Sequence, residues 1–352
     1  MKNWNSNIFG GFITAFLFLP VVSIGSDYWS SECAGPMHLP AVGLMEIFQY
    51  SPMILGPHEV KEKKLSLDVS YRMLNIYAFH VESDEPFEKG MDPYTFPFKF
   101  GTFLLDMETS TVDTTIAYGL TDRVDMMVQL PAYYIGGGFL DGFIEGFHST
   151  FGLNQHRREE MPRDLAQFFY VDKDGRQYWL HGEDLEGWHL GNLVLGGGIR
   201  LKNCNPAFSI RGNVKLPTND LSDRILTGMD GIDASLIYST AWKWDNTHLY
   251  HGGALTFREK TPSNFARFHR LRGSSATTLE FKTKSRLSYL LHLVIQSPYA
   301  DYPELDSPIF ETTFGLRYFT KAYRIDLGII ENLFQVDNSP DIGLHFSIQY
   351  RY

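Results

Sequence analysis

From Ile342 to Tyr352 the chain reads IGLHFSIQYRY, and its side chains change character at every step. Ile342, Leu344, Phe346, Ile348, Tyr350 and Tyr352 are apolar or aromatic, while Gly343, His345, Ser347, Gln349 and Arg351 are small, polar or charged. Successive side chains of a strand point to opposite faces, so a period of two gives one greasy face and one wet face. The pattern recurs along the sequence and predicts twelve strands, at 65–81, 103–119, 123–135, 188–202, 206–217, 230–242, 246–258, 271–283, 286–298, 308–319, 322–333 and 341–352. Most are long enough to cross a bilayer at the tilt of a barrel strand, where about 9–11 residues suffice.

The faces separate cleanly. Over 286–298, Leu287, Tyr289, Leu291, Leu293 and Ile295 share one face, with Ser288, His292 and Gln296 on the other. Over 206–217, Phe208, Ile210, Val214 and Leu216 oppose Ser209, Arg211, Asn213 and Lys215. In a soluble sandwich the apolar faces would point to a core, but twelve long strands around one core is an unusual design. An inverted barrel, with lipid outside and a polar lumen, fits without strain. The connectors agree: those after the second, fourth, sixth, eighth and tenth strands are tight, and those after the odd-numbered strands are longer, with 136–187 the longest. Short periplasmic turns alternating with longer outside loops is the plan of an outer-membrane barrel. The expected fold is therefore all-β, a transmembrane antiparallel β-barrel of about twelve strands over residues 65–352.

The beginning of the sequence points to export. Lys2 is the only charge before Asp27, Ile8–Val22 is an apolar run, and Ser23 and Gly25 suit cleavage after Gly25. This is the layout of a secretory signal peptide over residues 1–25, which predicts the cell outer membrane as the destination. Residues 26–64 then form a periplasmic lead-in, for which tucking into the barrel mouth and adding a short strand are both open. Cys33 and Cys204 fall on the same, oxidising side of this topology. A disulfide between them and a pair of free thiols are both consistent with it. The terminal strand, with Phe346, Ile348, Tyr350 and Tyr352 on one face, carries the pattern by which barrel-assembly machinery recognises its clients.

At residues 118–153 the sequence becomes recognisable. YGLTDRVDMMVQLPAYYIGGGFLDGFIEGFHSTFGL, with EMPRD at 160–164 and KLPTND at 215–220, resembles the bacterial family catalogued as domain of unknown function 3187. Asn219 stands where that family typically has glycine. The resemblance spans roughly residues 40–352 and implies an outer-membrane barrel without an established activity, so it supplies no catalytic residues.

Candidate functional residues follow from position. In the long outside loop, Phe139, Phe143, Phe147 and Phe151 recur every four residues, which predicts a short helix with one aromatic stripe. That stripe either packs on the barrel rim or offers a constriction to an apolar solute, with Asp141, Glu145 and His148 facing water or the lumen. The segment after the helix reads as a hairpin turning at Asp174-Gly175. Lumen-facing charges of both signs are expected to pair across the barrel or to orient a solute, among them Arg72, Arg200, Arg211, Lys215, Glu311, Arg317, Arg324 and Asp326. No hydrolase, metalloprotease or phosphate-loop motif is present, and Asp172 and Asp174 lack the remaining ligands of a calcium loop. No cofactor, metal or enzymatic activity is expected. With a net charge of −10 and no long basic run, nucleic acid is not a partner. The expected partners are outer-membrane lipid, the assembly machinery and a small solute. Passive passage of a small apolar or aromatic solute is the leading function, ahead of a non-conducting envelope barrel and of an outer-membrane lipid-modifying enzyme.

Overall fold

The computed structural model describes residues 35–352 except 48, 58–59, 61, 89–90, 92–94, 153–157, 159–160, 204, 220–230, 261–262, 264, 304, 321, 333–337, 339 and 341. The leader expected at 1–25, Cys33 and Cys204 lie outside the described residues.

In chain order the strands are β1 (Leu65–His80), β2 (Phe103–Gly119), β3 (Val124–Gly136), β4 (Gln167–Val171), β5 (Gln177–His181), β6 (Gly187–Leu190), β7 (Val194–Lys202) and β8 (Ala207–Lys215). There follow β9 (Asp233–Trp244), β10 (Thr247–Arg258), β11 (Arg267–Phe268), β12 (Leu271–Lys282) and β13 (Leu287–Gln296). The last are β14 (Ala300–Asp301), β15 (Ile309–Phe319), β16 (Tyr323–Glu331) and β17 (Ile342–Arg351). One helix, α1 (Asp141–Phe151), lies between β3 and β4. Twelve strands close a ring in the order β1–β2–β3–β7–β8–β9–β10–β12–β13–β15–β16–β17. β17 returns to β1 in antiparallel register from Ser66↔Arg351 to Asn75↔Ile342. The terminal strand is thus paired on both sides, and the barrel has no edge.

The expected strand at 188–202 is divided into β6 and β7. Residues 191–193 leave the β3 ladder because Pro131 has no N–H to offer there. Gly191 donates to the Pro131 carbonyl (2.8 Å), and Leu193 donates instead to Thr218 Oγ1 (2.8 Å). β6 then rejoins the outer end of β3, and the β4–β5 hairpin extends the outer end of β2.

Alternation along the strands separates two environments. Leu236, Leu255 and Leu271 are exposed outward, whereas neighbouring Ser235, Thr256 and Arg272 are buried inward. Tyr118, Trp244, Phe281, Tyr318 and Tyr352 lie on the outer surface beside the short turns; Tyr134, Trp188 and Phe257 lie outward near the long loops. An apolar band with an aromatic girdle at each end is the lipid-facing surface of a membrane-spanning barrel. Among the described residues no helix is long and apolar enough to cross a membrane.

Candidate functional site

The lumen is filled by the chain's own lead-in. The described residues of 35–62 enter at the short-turn end, where Arg317 donates to the carbonyls of Gly35 (2.8 Å) and Pro36 (3.2 Å). The segment climbs past Val42, whose N–H donates to both carboxylate oxygens of Glu311 (3.0 Å each). Near the long-loop end, Arg258 donates to Gln49 Oε1 (2.8 Å) and Arg272 to the Tyr50 carbonyl (2.7 Å). It then descends through Ile54 to Glu62, which bridges Gly119 back at the short-turn end. This is deeper than a tuck into the mouth, and the described residues of 35–56 add no strand.

Two kinds of wall hold this plug. Met37, Leu39, Val42, Leu44, Met45 and Ile54 form one apolar cluster with the inward side chains Ile237, Ala254, Ala276, Leu290, Val294 and Ile330. Each large apolar side chain removed from water stabilises the closed state by about 1.5–3 kcal/mol. The other flank, by β2, β3, β7 and β8, carries the charges, although Met53, Leu55 and Val60 of the descending limb pack there on Ala117 and Met127. There Arg72 pairs with Glu46 of the plug and with Asp113 of the wall (2.9 Å). Beside that pair a residual cavity of about 40 Å³ is lined by Asp113, Gln129, Tyr133 and Lys215.

The sequence-predicted lumen charges do face inward, but they do not simply pair across an open bore. Arg211 meets Asp125 (2.5 Å), Lys215 meets Asp233 (3.4 Å), and Arg317 binds Asp326 (2.7 Å) and Glu280 (3.1 Å). Arg324 lies 3.5 Å from Asp326. Glu311, Arg317 and Arg200 reach plug backbone, the last at the Val60 carbonyl (3.5 Å). Gln49, Tyr50, Arg258 and Arg272 were not singled out from the sequence. The signal for the two arginines was their inward parity at the outer ends of β10 and β12.

The loop helix corrects the expected aromatic stripe. Phe139 and Phe143 are 70% and 60% exposed, whereas Asp141 and Glu145 are buried. The buried acids have partners: Asp141 takes Arg158 (2.7 Å) and the Asp164 N–H (2.8 Å), and Glu145 takes Arg163 Nε (3.0 Å). Compensated carboxylates are the ones that tolerate burial. Glu108 caps the helix entrance, accepting the Phe139 N–H (2.8 Å) and that of Leu140. His148 is half-buried, and the side chains of Phe147 and Phe151 lie outside the described residues. α1 therefore sits over the rim and lends no described ring to the lumen. In the β4–β5 hairpin, Asp172 accepts N–H groups of Asp174 (2.9 Å) and Arg176 (2.8 Å) and the Tyr178 hydroxyl (3.2 Å). Burial alone raises its carboxyl, but these donors outweigh it and hold it below the usual aspartate range.

Above the plug the outer loops build a dome. Phe265 packs on Tyr302 (ring centroids 4.4 Å apart), Tyr170 (5.0 Å) and Phe168 (5.7 Å). Beside it opens a cavity of about 700 Å³, with Phe265, Phe268 and Arg258 in its lining. His248, His292 and His345 face the interior; His251, on the outer wall, lies 3.0 Å from the hydroxyls of Tyr238 and Thr277. Among the described residues no group of three or more His, Cys, Asp or Glu side chains converges as metal ligands would. Of the residues expected to form an assembly signal, Phe346 and Tyr352 are exposed outward, with Ile348 and Tyr350 on the same face.

The profile of a family described as protein of unknown function (DUF3187) matches residues 33–352. No curated protein matches the chain in sequence. Among solved structures, the chain is similar to an outer-membrane channel from Pseudomonas putida F1, at 11% identity and a TM-score of 0.47, covering 84% of this chain and 97% of that one. It is also similar to the P. putida toluene transporter TodX, at 12% identity and a TM-score of 0.37, covering 84% and 91%. For the KdgM porin the values are 7% and 0.38, covering 80% and 98%.

Proposed function

The chain belongs to the DUF3187 family, and from that premise we propose that it is a resting-closed conduit for a small solute across the outer membrane. In this reading the short-turn end faces the periplasm, as in barrels whose long loops lie outside. One observation carries it: the plug enters and leaves at the same end and lies, on one flank, against a wall of buried charges. A permanently filled interior is made more stable by apolar side chains than by ion pairs, which cost several kcal/mol per ion to dehydrate. Charged walls suit an interior that is wetted when the plug shifts. The apolar seat on β9–β16 holds the plug, and the polar flank beside Arg72, Asp113 and Lys215 is where a path opens.

Conductance in planar bilayers tests this with the full chain and with a variant lacking residues 35–57. The full chain is expected to be nearly silent, and the deletion to carry steady current while its barrel keeps the heat-modifiable gel mobility of a folded one. A folded but silent deletion overturns the proposal. It would favour a non-conducting envelope barrel, a reading that the burial of every described plug residue from 35 to 47 supports.

A further inference from the structure

The cavity under the outer loops is charged against the trend of the chain. Lys173, Arg258, Lys260, Arg267 and Arg270 line it, against the carboxylates of Glu259 and Asp301. Arg270 lies over the outward Phe257 ring (5.0 Å) and Arg267 faces Asp301, which leaves Lys173, Arg258 and Lys260 against Glu259, a net positive lining in a protein of net charge −10. Asp301 is already engaged by Arg267 (3.7 Å) and His269 (3.5 Å), so it does little to offset the others. The lining is also aromatic. Phe265 is buried at the base, and the Arg258 guanidinium stacks over the Phe268 ring at 4.4 Å. Arg258 is itself only 4% exposed, held in place by its bond to Gln49. A concave lining that sets aromatic rings beside fixed charges suits a small organic ligand, and about 700 Å³ lies within the usual range of such sites.

We propose that this cavity binds a small organic anion with an aromatic body, the carboxylate directed to Arg258 and Lys260 and the ring to Phe265 and Phe268. The inference rests on the conduit reading and deepens it by naming the solute class. Because Arg258 also holds Gln49, an arriving carboxylate competes with the plug for one guanidinium, at the point where the plug nears the outside.

Calorimetric titration of the detergent-solubilised full chain with phenylacetate tests the site directly. Phenylacetate is expected to bind with a dissociation constant on the order of 1 mM, as suits so few heavy atoms. Phenylethylamine and inorganic phosphate are expected to bind at least tenfold more weakly, one carrying the opposite charge and the other lacking the ring. Lys173→Glu/Lys260→Glu, at two exposed positions, is expected to weaken phenylacetate at least tenfold with folding unchanged. Absent binding, equal binding of the amine or of phosphate, or an unaltered double variant overturns the proposal. Equilibrium binding in detergent is independent of current through a bilayer. A site that binds in a barrel that does not conduct therefore separates the failure of the conduit reading from that of this one.

Discussion

Arg72→Met is the sharpest perturbation of the plug. Arg72 is 3% exposed and stands between Glu46 on the plug and Asp113 on β2, both equally hidden. Methionine keeps the length and the apolar stem but leaves two carboxylates facing each other without a cation. Removing one partner of a buried ion pair costs about 3–5 kcal/mol, because the remaining charge is dehydrated and unpaired. That cost falls on the closed arrangement; when the plug shifts away, the flank is wetted and both carboxylates regain water. At about 1.4 kcal/mol per tenfold, displacement of the plug becomes roughly a hundred- to a few-thousand-fold more frequent. Glu46→Gln is the graded control. Asp113 still neutralises Arg72, and a charge-assisted bond is exchanged for a neutral one, a loss of about 1 kcal/mol or roughly fivefold. The readout is the reaction rate of Ala41→Cys, a buried plug position, with a membrane-impermeant thiol reagent, in a background with Cys33 and Cys204 replaced by serine. Gel mobility confirms that each barrel is folded. Labelling rates for Arg72→Met within twofold of its parent would refute the idea that this ion pair holds the plug.

Three further outcomes follow from the same structure. Gly138→Ala places a methyl group 1.8 Å from the Glu108 carboxyl carbon at a residue with φ +71°. A non-glycine residue in that region costs about 1–2 kcal/mol before any clash, so limited proteolysis should cut the 137–166 loop well before that of the parent. The carboxyl of Asp172 is held below its ordinary value, so its support for the β4–β5 hairpin is complete above about pH 3.9 and is lost as pH falls through the depressed value. Protection of the Asp174 and Arg176 amides from hydrogen exchange, relative to their intrinsic rates, should fall as pH drops over that range in the parent and be low and flat in Asp172→Ala; identical profiles would remove the carboxylate from the account. Tyr352→Ala should lower the amount of barrel in the outer membrane of cells while leaving refolding in detergent unchanged, because it removes the terminal aromatic that we propose the assembly machinery reads; an equal loss in both would make the effect one of stability.

The barrel was legible because its signal is local. Each strand declares two faces within ten or so residues, and the tight connectors between Gly119 and Val124 or between Trp244 and Thr247 declare themselves by length. The break in 188–202 was not legible, since it depends on Pro131 of the neighbouring strand, some sixty residues earlier in the chain. The plug was less legible still. Its segment AVGLMEIF has neither clean period, and Val42 finds its acceptor 269 residues later. The helix stripe failed for a related reason: the four-residue spacing of Phe139 and Phe143 is real, but Arg158 and Arg163 turn the opposite face inward.

A signal for the plug was nonetheless present in the strands themselves. An inward face meant for water alone has no use for Ile237, Leu290, Val294 and Ile330, which nevertheless occupy inward positions at mid-barrel. Gly252 shares that face, where a Cβ would stand 2.4 Å from the Ile54 side chain. Apolar side chains and a missing one, interrupting a polar face, are what a barrel needs where something apolar fills it. At plug height they are most numerous on β9 to β16, while Asp113, Gln129 and Lys215 make the opposite flank polar above the small apolar seat of Ala117 and Met127. A plug seated by oil on one side and by ion pairs on the other can lose the second contact without losing the first. That asymmetry, more than the size of the lumen, is what distinguishes a gate from a stopper.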